Sequence, residues 1–242
     1  MIMKPIASRI TIAVVITAGM LVVSSIAPSM MMVYGATNCT ATYGEDCYAA
    51  GMYTFFTNSS SLGAGVKQKV PYPSNMVGYM VSPLWVTAVN GRLLEIGWIA
   101  SASYTPQWYW ALDGIIQKRW CTNNTCPGNN STWLFTIQDS DRDGRWVLRV
   151  GTDTITTNDL GNSYAIKTGA GYEIGYYDVN PGINDYKDFM YYKPSTGWVL
   201  LSSSVASKWY VIVPANGYTV DYCNDAPFTH FKVAKGGGRD LC

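Results

Sequence analysis

Short runs of apolar and aromatic residues alternate with turn-forming residues along most of the chain. Asn90-Gly91 separates two such runs, and Asn-Gly between apolar runs is a strong β-hairpin signal. Beyond the N-terminal region, no stretch keeps a helical period over three turns. Short strands at regular spacing are typical of a sandwich or barrel. The pattern therefore predicts an all-β fold, an antiparallel sandwich of two sheets. The runs that predict its strands are 81–89, 93–101, 108–112, 133–137, 146–150, 172–178, 189–192, 198–201 and 209–213.

One four-residue pattern occurs twice among these runs. Residues 95–98 and 173–176 both consist of Glu, Ile, Gly and an aromatic residue. Because strand side chains alternate between faces, each glutamate shares a face with its glycine, while the isoleucine and the aromatic residue point the other way. A glycine within a strand often marks close approach by a ligand or by another backbone, and we expect open space beside each glutamate. Glu95 and Glu173 are therefore candidates for a catalytic pair.

The N-terminal region predicts a secretory signal peptide over residues 1–35. Lys4 and Arg9 precede an apolar run from 10 to 27, and cleavage is expected after Gly35. The run of about 18 residues is just long enough to span a bilayer, so an uncleaved anchor is the alternative. No later run is apolar enough to span a membrane.

Three parts follow the signal peptide. Residues 36–75 are polar and irregular and are predicted to be an N-terminal extension or a short propeptide-like region, with one strand at most. Residues 76–235 are predicted to form the sandwich, since a mature chain of about 200 residues suits a single all-β domain. Residues 236–242 are predicted to be a flexible tail, held by Cys242.

The composition excludes some functions and favours a location outside the cell. Only 14% of residues are charged and the formal net charge is +1. Without a basic stripe, nucleic-acid binding lacks its electrostatic footprint. The protein is expected to be secreted, or attached to the cell surface, and glycosylated at Asn-x-Ser/Thr sites. The sites are Asn38, Asn58, Asn123, Asn129 and Asn130.

Six cysteines in an exported chain predict disulfides. Six cysteines allow 15 connectivities, and local spacing favours one of them. A zinc site is the weaker alternative, because the cysteines are scattered and His230 is the single histidine. The favoured pairs are Cys39–Cys47, Cys121–Cys126 and Cys223–Cys242.

Two further motifs are weaker candidates for a metal site or a catalytic site. Asp139, Asp141, Asp143 and Gly144 resemble half of a calcium loop, but Val150 stands where the bidentate Glu would close the site. The segment is therefore interpreted as a charged hairpin turn, and no cofactor is predicted. His230 has no serine nucleophile in an elbow sequence to act on and is interpreted as a structural residue.

The two glutamates remain as candidate catalytic groups. Juxtaposed carboxyl groups separate in pKa, so that one is protonated as acid while the other is ionised as base. Such a pair can hydrolyse a peptide or a glycoside. A solvated strand face or a salt bridge is the alternative for each glutamate taken alone.

Residues 84–128 resemble the core of the neprosin family of secreted glutamic peptidases. Glu95-Ile96-Gly97-Trp98 is similar to the family's Glu-Ala-Gly-Trp, and residues 109–113 are similar to its Tyr-Trp-Thr-x-Asp. Leu84-Trp85-Val86 resembles the preceding strand, and residues 121–128 resemble the family's paired cysteines. Further along, residues 143–148 resemble the family's Gly-Asn-Trp-Trp-Leu strand, and 171–174 resemble the Gly-Gly-Glu-Val that holds the second glutamate.

The resemblance implies a jelly-roll-like sandwich whose cleft holds Glu95 and Glu173, with peptide hydrolysis at acid pH without a metal. It also implies a polypeptide substrate, cleaved after proline by some members. Aromatic side chains could hold a proline ring, and four are candidates. For Trp110, and for Asp113 of the matched segment 109–113, the alternatives are a packing role and a turn role. The four aromatic candidates are Trp98, Tyr104, Trp110 and Tyr176.

Two other functions remain open from the sequence. A non-catalytic sandwich of the same ancestry would serve as a cell-surface or adhesion module, with its Tyr and Trp residues as the binding surface. A carbohydrate-active sandwich would also use paired carboxylates and exposed aromatics.

Overall fold

The structure, a computed structural model, describes residues 47–57, 61–71, 78–121, 126–128, 130–175, 182–213, 217–236 and 240–242. These residues form strands and turns, and every strand pair is antiparallel. Two sheets pack face to face, which confirms the predicted all-β sandwich. Within the same residues, no helix is long and apolar enough to cross a membrane.

The strands are β1 (Cys47–Phe55), β2 (Gly63–Lys69), β3 (Tyr79–Ala88), β4 (Leu93–Ser101), β5 (Tyr104–Leu112), β6 (Ile115–Trp120), β7 (Thr132–Gln138), β8 (Arg145–Val150), β9 (Asp153–Asp159), β10 (Ala165–Ile174), β11 (Asn184–Lys193), β12 (Gly197–Leu200), β13 (Ala206–Val213), β14 (Tyr218–Tyr222) and β15 (Phe231–Lys235). The seven-stranded sheet has the order β13-β1-β10-β3-β4-β5-β6. The eight-stranded sheet has the order β14-β15-β11-β2-β7-β8-β9, and β12 pairs with β11 beside it.

The turns that the sequence marked join neighbouring strands. Asn90-Gly91 connects β3 to β4, and Gly91 has φ +84°, a left-handed conformation that glycine adopts readily. Asp113 and Gly114, with φ of 52° and 77°, connect β5 to β6. The Asp113 carboxylate also accepts the Leu93 amide at 2.9 Å, so Asp113 is a turn residue.

The described part of residues 36–75 is not an irregular extension, because β1 and β2 lie inside the two sheets. β1 runs between β13 and β10, and β2 runs between β11 and β7. The sequence does not predict β1, because the strand contains small residues and Gly and Ala are depleted in strands. They are needed because a Cβ atom on Gly51 would lie 2.7 Å from the Phe231 ring of the facing sheet. The sandwich therefore includes residues from Cys47 onward.

The core lies between the sheets and defines two faces of the seven-stranded sheet. On β4, Leu94, Ile96 and Trp98 are fully buried against the eight-stranded sheet, which makes theirs the inner face. The opposite face, here called the outer face, carries a separate small apolar cluster. Its members are Val81, Ile99, Tyr109 and Ala111, with Tyr79 packed against them.

Two of the three predicted disulfides are present among the described residues. Cys121–Cys126 and Cys223–Cys242 have Cα separations of 4.9 and 5.3 Å, within the usual range. Cys47 is also disulfide-bonded, and its predicted partner Cys39 lies outside the described residues. The tail is thus joined through Cys242 to the end of β14.

Several predictions concern parts of the chain that the structure does not describe. The signal peptide or anchor over residues 1–35 is one, and four of the five glycosylation sites are others. The fifth, Asn130, is exposed at a turn with φ 60°.

Candidate active site

Glu95 and Glu173 lie on the outer face of the same sheet. Glu95 on β4 is the cross-strand partner of Trp85 on β3, and Glu173 on β10 is the partner of Val81 on β3. Direct cross-strand partners project to the same side, and Trp85 and Val81 alternate with inner-face residues of β3. The two glutamates therefore flank β3 on one surface.

The strand register offsets the two glutamates from each other. Val81 pairs with Glu173 on one side and with Ile99 on the other, and Ile99 lies four residues along β4 from Glu95. The offset amounts to about 13 Å along the strands and two strand spacings of about 4.8 Å across them. The register thus favours two separated carboxyl groups over a pair that shares one proton directly.

Tyr109 lies beside Glu95 on β5, on the side of β4 away from β3 and β10. It is the β5 partner of Gly97, midway along β4 between the levels of Glu95 and Ile99. Its hydroxyl donates to Glu95 Oε2 at 3.3 Å. Burial raises the pKa of Tyr109 well above its usual value, and the charges of Glu95 and then Glu173 raise it further. One buried phenol is therefore within electrostatic reach of both glutamates.

Glu173 has a phenol of its own. The Tyr79 hydroxyl donates to Glu173 Oε1 at 2.9 Å, and Tyr79 lies two residues before Val81 on β3. Each glutamate also has an aromatic side chain directly opposite, Trp85 for Glu95 and Tyr48 for Glu173, both half-buried. The outer face thus surrounds each carboxyl with aromatic residues.

Glu95 is suited to hold a proton in mild acid. Its side chain is buried, with 8% of the residue exposed. Burial raises the pKa of Glu95 to about 7, although the hydrogen bond from Tyr109 acts in the opposite direction. Desolvation disfavours the charged carboxylate more than one phenol donor favours it. At pH 5 this group is largely the neutral acid.

The glycines of the repeated pattern do not provide open space. A Cβ atom on Gly97 would lie 2.2 Å from the Ser82 carbonyl oxygen, and one on Gly175 would lie 2.3 Å from the Tyr79 ring. Both glycines are needed for close approach by protein atoms, so the expected open space is wrong. Gly175 instead makes room for the ring that carries the phenol bonded to Glu173.

A buried polar cluster fixes β10 and β3 beneath the glutamates. Pro83 has no N–H to donate to the Gly171 carbonyl across the ladder. The Ser82 and Tyr186 hydroxyls each donate to that carbonyl at 2.7 Å. Gln68 donates to the Ser82 carbonyl at 2.9 Å from the facing sheet. β10, which carries Glu173, and β3, which runs between the two glutamates, are thus tied to each other and to β11 and β2.

Two predicted cleft aromatics lie on the wrong face for that role. Trp98 is fully buried in the core, and Trp110 pairs with Ile96 and packs against the same core. The alternation of strand side chains puts both opposite to Glu95. Tyr104 begins β5, and Tyr176 lies outside the described residues.

The sequence missed four aromatic residues of the outer face, Tyr48, Tyr79, Trp85 and Tyr109. The same alternation rule places Trp85 and Tyr109 correctly once the β3–β4 and β4–β5 hairpins are aligned. Tyr48 and Tyr79 depend on the pairing of β10 with β1 and β3, which no local signal specifies.

The aspartate cluster closes a turn between β7 and β8. Asp139 is buried, and its carboxylate accepts the amides of Gly144 at 2.8 Å and Asp143 at 3.3 Å. Asp143 in turn accepts the Arg145 amide at 2.9 Å, and Asp141 is exposed. These contacts agree with the interpretation as a hairpin turn.

One group of residues in the described part of the chain has the spacing of metal ligands: Cys223, Asp225 and His230. Cys223 is in a disulfide, so its sulfur is not a thiolate ligand. The His230 ring joins Asp225 through Nδ1 at 2.9 Å and Asp185 through Nε2 at 2.8 Å. Nearly buried, His230 links β11 to the segment before β15, as expected of a structural residue.

The fold has known counterparts among glutamic peptidases. A scytalido-glutamic peptidase solved with a peptide-based transition-state analogue superposes with a TM-score of 0.55 at 9% identity, over 80% of this chain and 100% of that one. SCP-B, a member of the eqolisin family solved with the tripeptide Ala-Ile-His, has a TM-score of 0.52 at 10% identity with the same coverage. No protein-family model and no curated protein sequence matches this chain.

At these identities the likeness concerns the fold. The resemblance of residues 84–128 to the neprosin family stays a prediction from sequence. The chain is similar in fold, over most of its length, to glutamic peptidases of the eqolisin family.

Proposed function

We propose that the protein is a glutamic endopeptidase that hydrolyses peptide bonds in acid with Glu95 and Glu173. The observation that carries the proposal is the placement of both carboxyls on one sheet face, each hydrogen-bonded to a phenol. The fold neighbours are glutamic peptidases, and two of them were solved with peptide-like ligands. Those neighbours favour a polypeptide substrate here.

Glu95 is the proposed acid and Glu173 the proposed base. Glu95 is buried and has a pKa of about 7, so it keeps its proton where an ordinary carboxyl has lost it. Glu173 is half-buried and meets solvent more readily. A pair with unlike environments separates the two roles without a metal.

The proposed reaction requires a water molecule and a peptide group between the two carboxyls. Each glutamate side chain extends about 4–5 Å from Cα, so both would have to lean toward each other along the sheet for the carboxyls to come within roughly 6–8 Å. Carboxyls at a comparable separation accommodate an attacking water in inverting glycosidases. A substrate peptide bond would lie between Glu95 and Glu173.

The proposed reaction moves two protons. Glu173 accepts a proton from water as the water oxygen bonds to the scissile carbonyl carbon. Glu95 polarises the carbonyl oxygen through a hydrogen bond while it keeps its proton. It transfers that proton to the leaving amine nitrogen as the tetrahedral intermediate collapses. The C–N bond breaks, and the proton held by Glu173 returns to Glu95 through water. Cleavage after proline is part of the proposal, with Trp85 as the ring-binding side chain.

The location outside the cell is also proposed. A signal peptide over residues 1–35 and the three predicted disulfides support export, and Asn130 is an exposed candidate for glycosylation. The protein would act there on polypeptides at acid pH.

Hydrolysis of denatured casein and of proline-containing peptides at pH 3–8 tests the function. The assay includes a chelator and inhibitors of serine and cysteine peptidases. Glu95→Gln and Glu173→Gln should each reduce the rate by about 10³-fold or more, since each removes an essential proton carrier. Asp188→Asn is the matched control, because its carboxylate pairs with Lys67 on the other sheet. No cleavage by the wild type would favour a binding module instead. Full activity in either glutamine variant would exclude that glutamate from catalysis.

A further inference from the structure

We propose that Tyr109 is a positioning residue for Glu95. The Tyr109 hydroxyl donates a hydrogen bond to Glu95 Oε2, so that the acidic proton of Glu95 resides on Oε1. This inference rests on the proposed function, in which Glu95 is the acid. Tyr109 is nearly fully buried, lies beside Glu95 on β5 and packs within the small apolar cluster of the outer face. Its ring is held by packing, and its hydroxyl reaches the carboxyl.

The choice of oxygen follows from hydrogen-bond chemistry. The bond from Tyr109 is the one that the described part of the chain gives to the Glu95 carboxyl, and it ends on Oε2. A phenol O–H donates to an oxygen lone pair, whereas the proton of a carboxylic acid occupies the other oxygen. The acid O–H is thereby fixed on Oε1, away from Tyr109. At 3.3 Å the bond is long, and catalytic hydrogen bonds commonly tighten when substrate binds.

Tyr109 stays a donor throughout the pH range of the enzyme. Burial, followed by the charges of Glu95 and Glu173, raises the pKa of this phenol well above its usual value. A neutral phenol donates a hydrogen bond but does not transfer its proton to the substrate. Tyr109 therefore acts through Glu95, by orienting it and by moderating its affinity for a proton.

The structure offers a counterpart on the other glutamate. Tyr79 donates to Glu173 Oε1, so the same substitution can be made on each half of the pair. Tyr172 offers a control, because it lies next to Glu173 but points into the core. The three Tyr→Phe variants remove one oxygen each and keep the ring.

The test follows the Glu95 carboxyl by ¹³C NMR titration and, in parallel, the pH profile of kcat. Tyr109→Phe should raise the midpoint of Glu95 by about one pH unit, because a donor to the carboxylate is lost. It should also lower kcat about tenfold with KM changed less than twofold, since the acid proton is no longer confined to one oxygen. Tyr79→Phe and Tyr172→Phe should leave the Glu95 midpoint in place.

An unchanged Glu95 midpoint in Tyr109→Phe, or an equal shift in Tyr172→Phe, would overturn the positioning role. The titration does not depend on turnover, so it tests Tyr109 even if the wild type cleaves no peptide. Absence of peptidase activity in the wild type would count against the proposed function and not against the positioning role of Tyr109. Denaturant unfolding of each variant separates a global loss of stability from the local effect.

Discussion

Gly97 and Pro83 are direct cross-strand partners on β4 and β3, at a point where the backbones lie unusually close. A Cβ atom on Gly97 would lie 2.2 Å from the Ser82 carbonyl oxygen and 2.7 Å from the Pro83 Cα atom. The obstruction is backbone, which cannot move aside as a flexible side chain can. The glycine next to Glu95 therefore serves the approach of β3, the strand that separates the two glutamates.

Gly97→Ala should consequently destabilise the sandwich. We expect a loss of about 2–3 kcal/mol in the free energy of unfolding, as for overpacking of a closely packed site. Urea unfolding followed by tryptophan fluorescence measures it. Gly128→Ala is the control, since the nearest atom to its added Cβ is 3.7 Å away. Equal stabilities for the two variants would contradict the close approach.

The stability of the protein should fall as the pH rises toward 7. Between the ordinary value of 4.5 and the native pKa of about 7, the folded state holds a proton on Glu95 that the unfolded state has lost. The stability that protonated Glu95 contributes is therefore fully present below about pH 4.5 and is lost as the pH rises to about 7. Above that pH the contribution of Glu95 no longer changes. The total decrease is on the order of 3 kcal/mol.

Glu95→Gln should remove this decrease, because an amide does not ionise and can still accept from Tyr109. Urea unfolding between pH 4 and pH 8 compares the variant with the wild type. We expect the variant to be the more stable protein at pH 8. A wild-type stability that rises over this interval, with the variant parallel to it, would contradict the buried, proton-holding Glu95.

Trp85→Ala should weaken substrate binding. Trp85 is half-buried, lies opposite Glu95 and projects from the outer face. We expect KM for a proline-containing peptide to rise about tenfold, consistent with loss of 1–2 kcal/mol of aromatic contact. Trp198→Ala, on β12 beside the eight-stranded sheet, is the control. An unchanged KM in Trp85→Ala would exclude this side chain from the substrate site.

Tyr186→Phe should destabilise the protein from beneath the site. Its hydroxyl donates to the Gly171 carbonyl at 2.7 Å and lies 2.8 Å from the Ser82 hydroxyl. Removing one member of a buried network costs about 1–3 kcal/mol. In the described part of the chain, the Tyr172 hydroxyl has no hydrogen-bond partner, so Tyr172→Phe should cost little. Thermal unfolding of both variants compares them, and the opposite order would contradict the role of this cluster.

The sequence predicted the sandwich and its hairpins because their signals are local. Asn90-Gly91 identifies its own turn, and alternation along β4 places Glu95 opposite to Trp98. That alternation also excludes Trp98 from a cleft that holds Glu95, so local pattern is sufficient to show that Trp98 is not a substrate contact.

Other features depend on packing between distant parts of the chain. β1 is built on small residues because Phe231 lies against Gly51, and a strand that small residues build has no apolar period to detect. The phenols of Tyr79 and Tyr109 meet the glutamates only because β10, β3, β4 and β5 are neighbours in this order. Local sequence does not specify which distant strands are neighbours in a sheet.

The pH dependence of kcat/KM for peptide hydrolysis tests the central claim most directly, because it reports the ionisation of the free enzyme. If Glu95 must be protonated, kcat/KM should fall about tenfold per pH unit above about 7, the pKa to which burial raises this carboxyl. At the optimum, Glu95→Gln and Glu173→Gln should each be nearly inactive. A kcat/KM that rises through pH 7, or that survives in either variant, would contradict catalysis by this pair of glutamates.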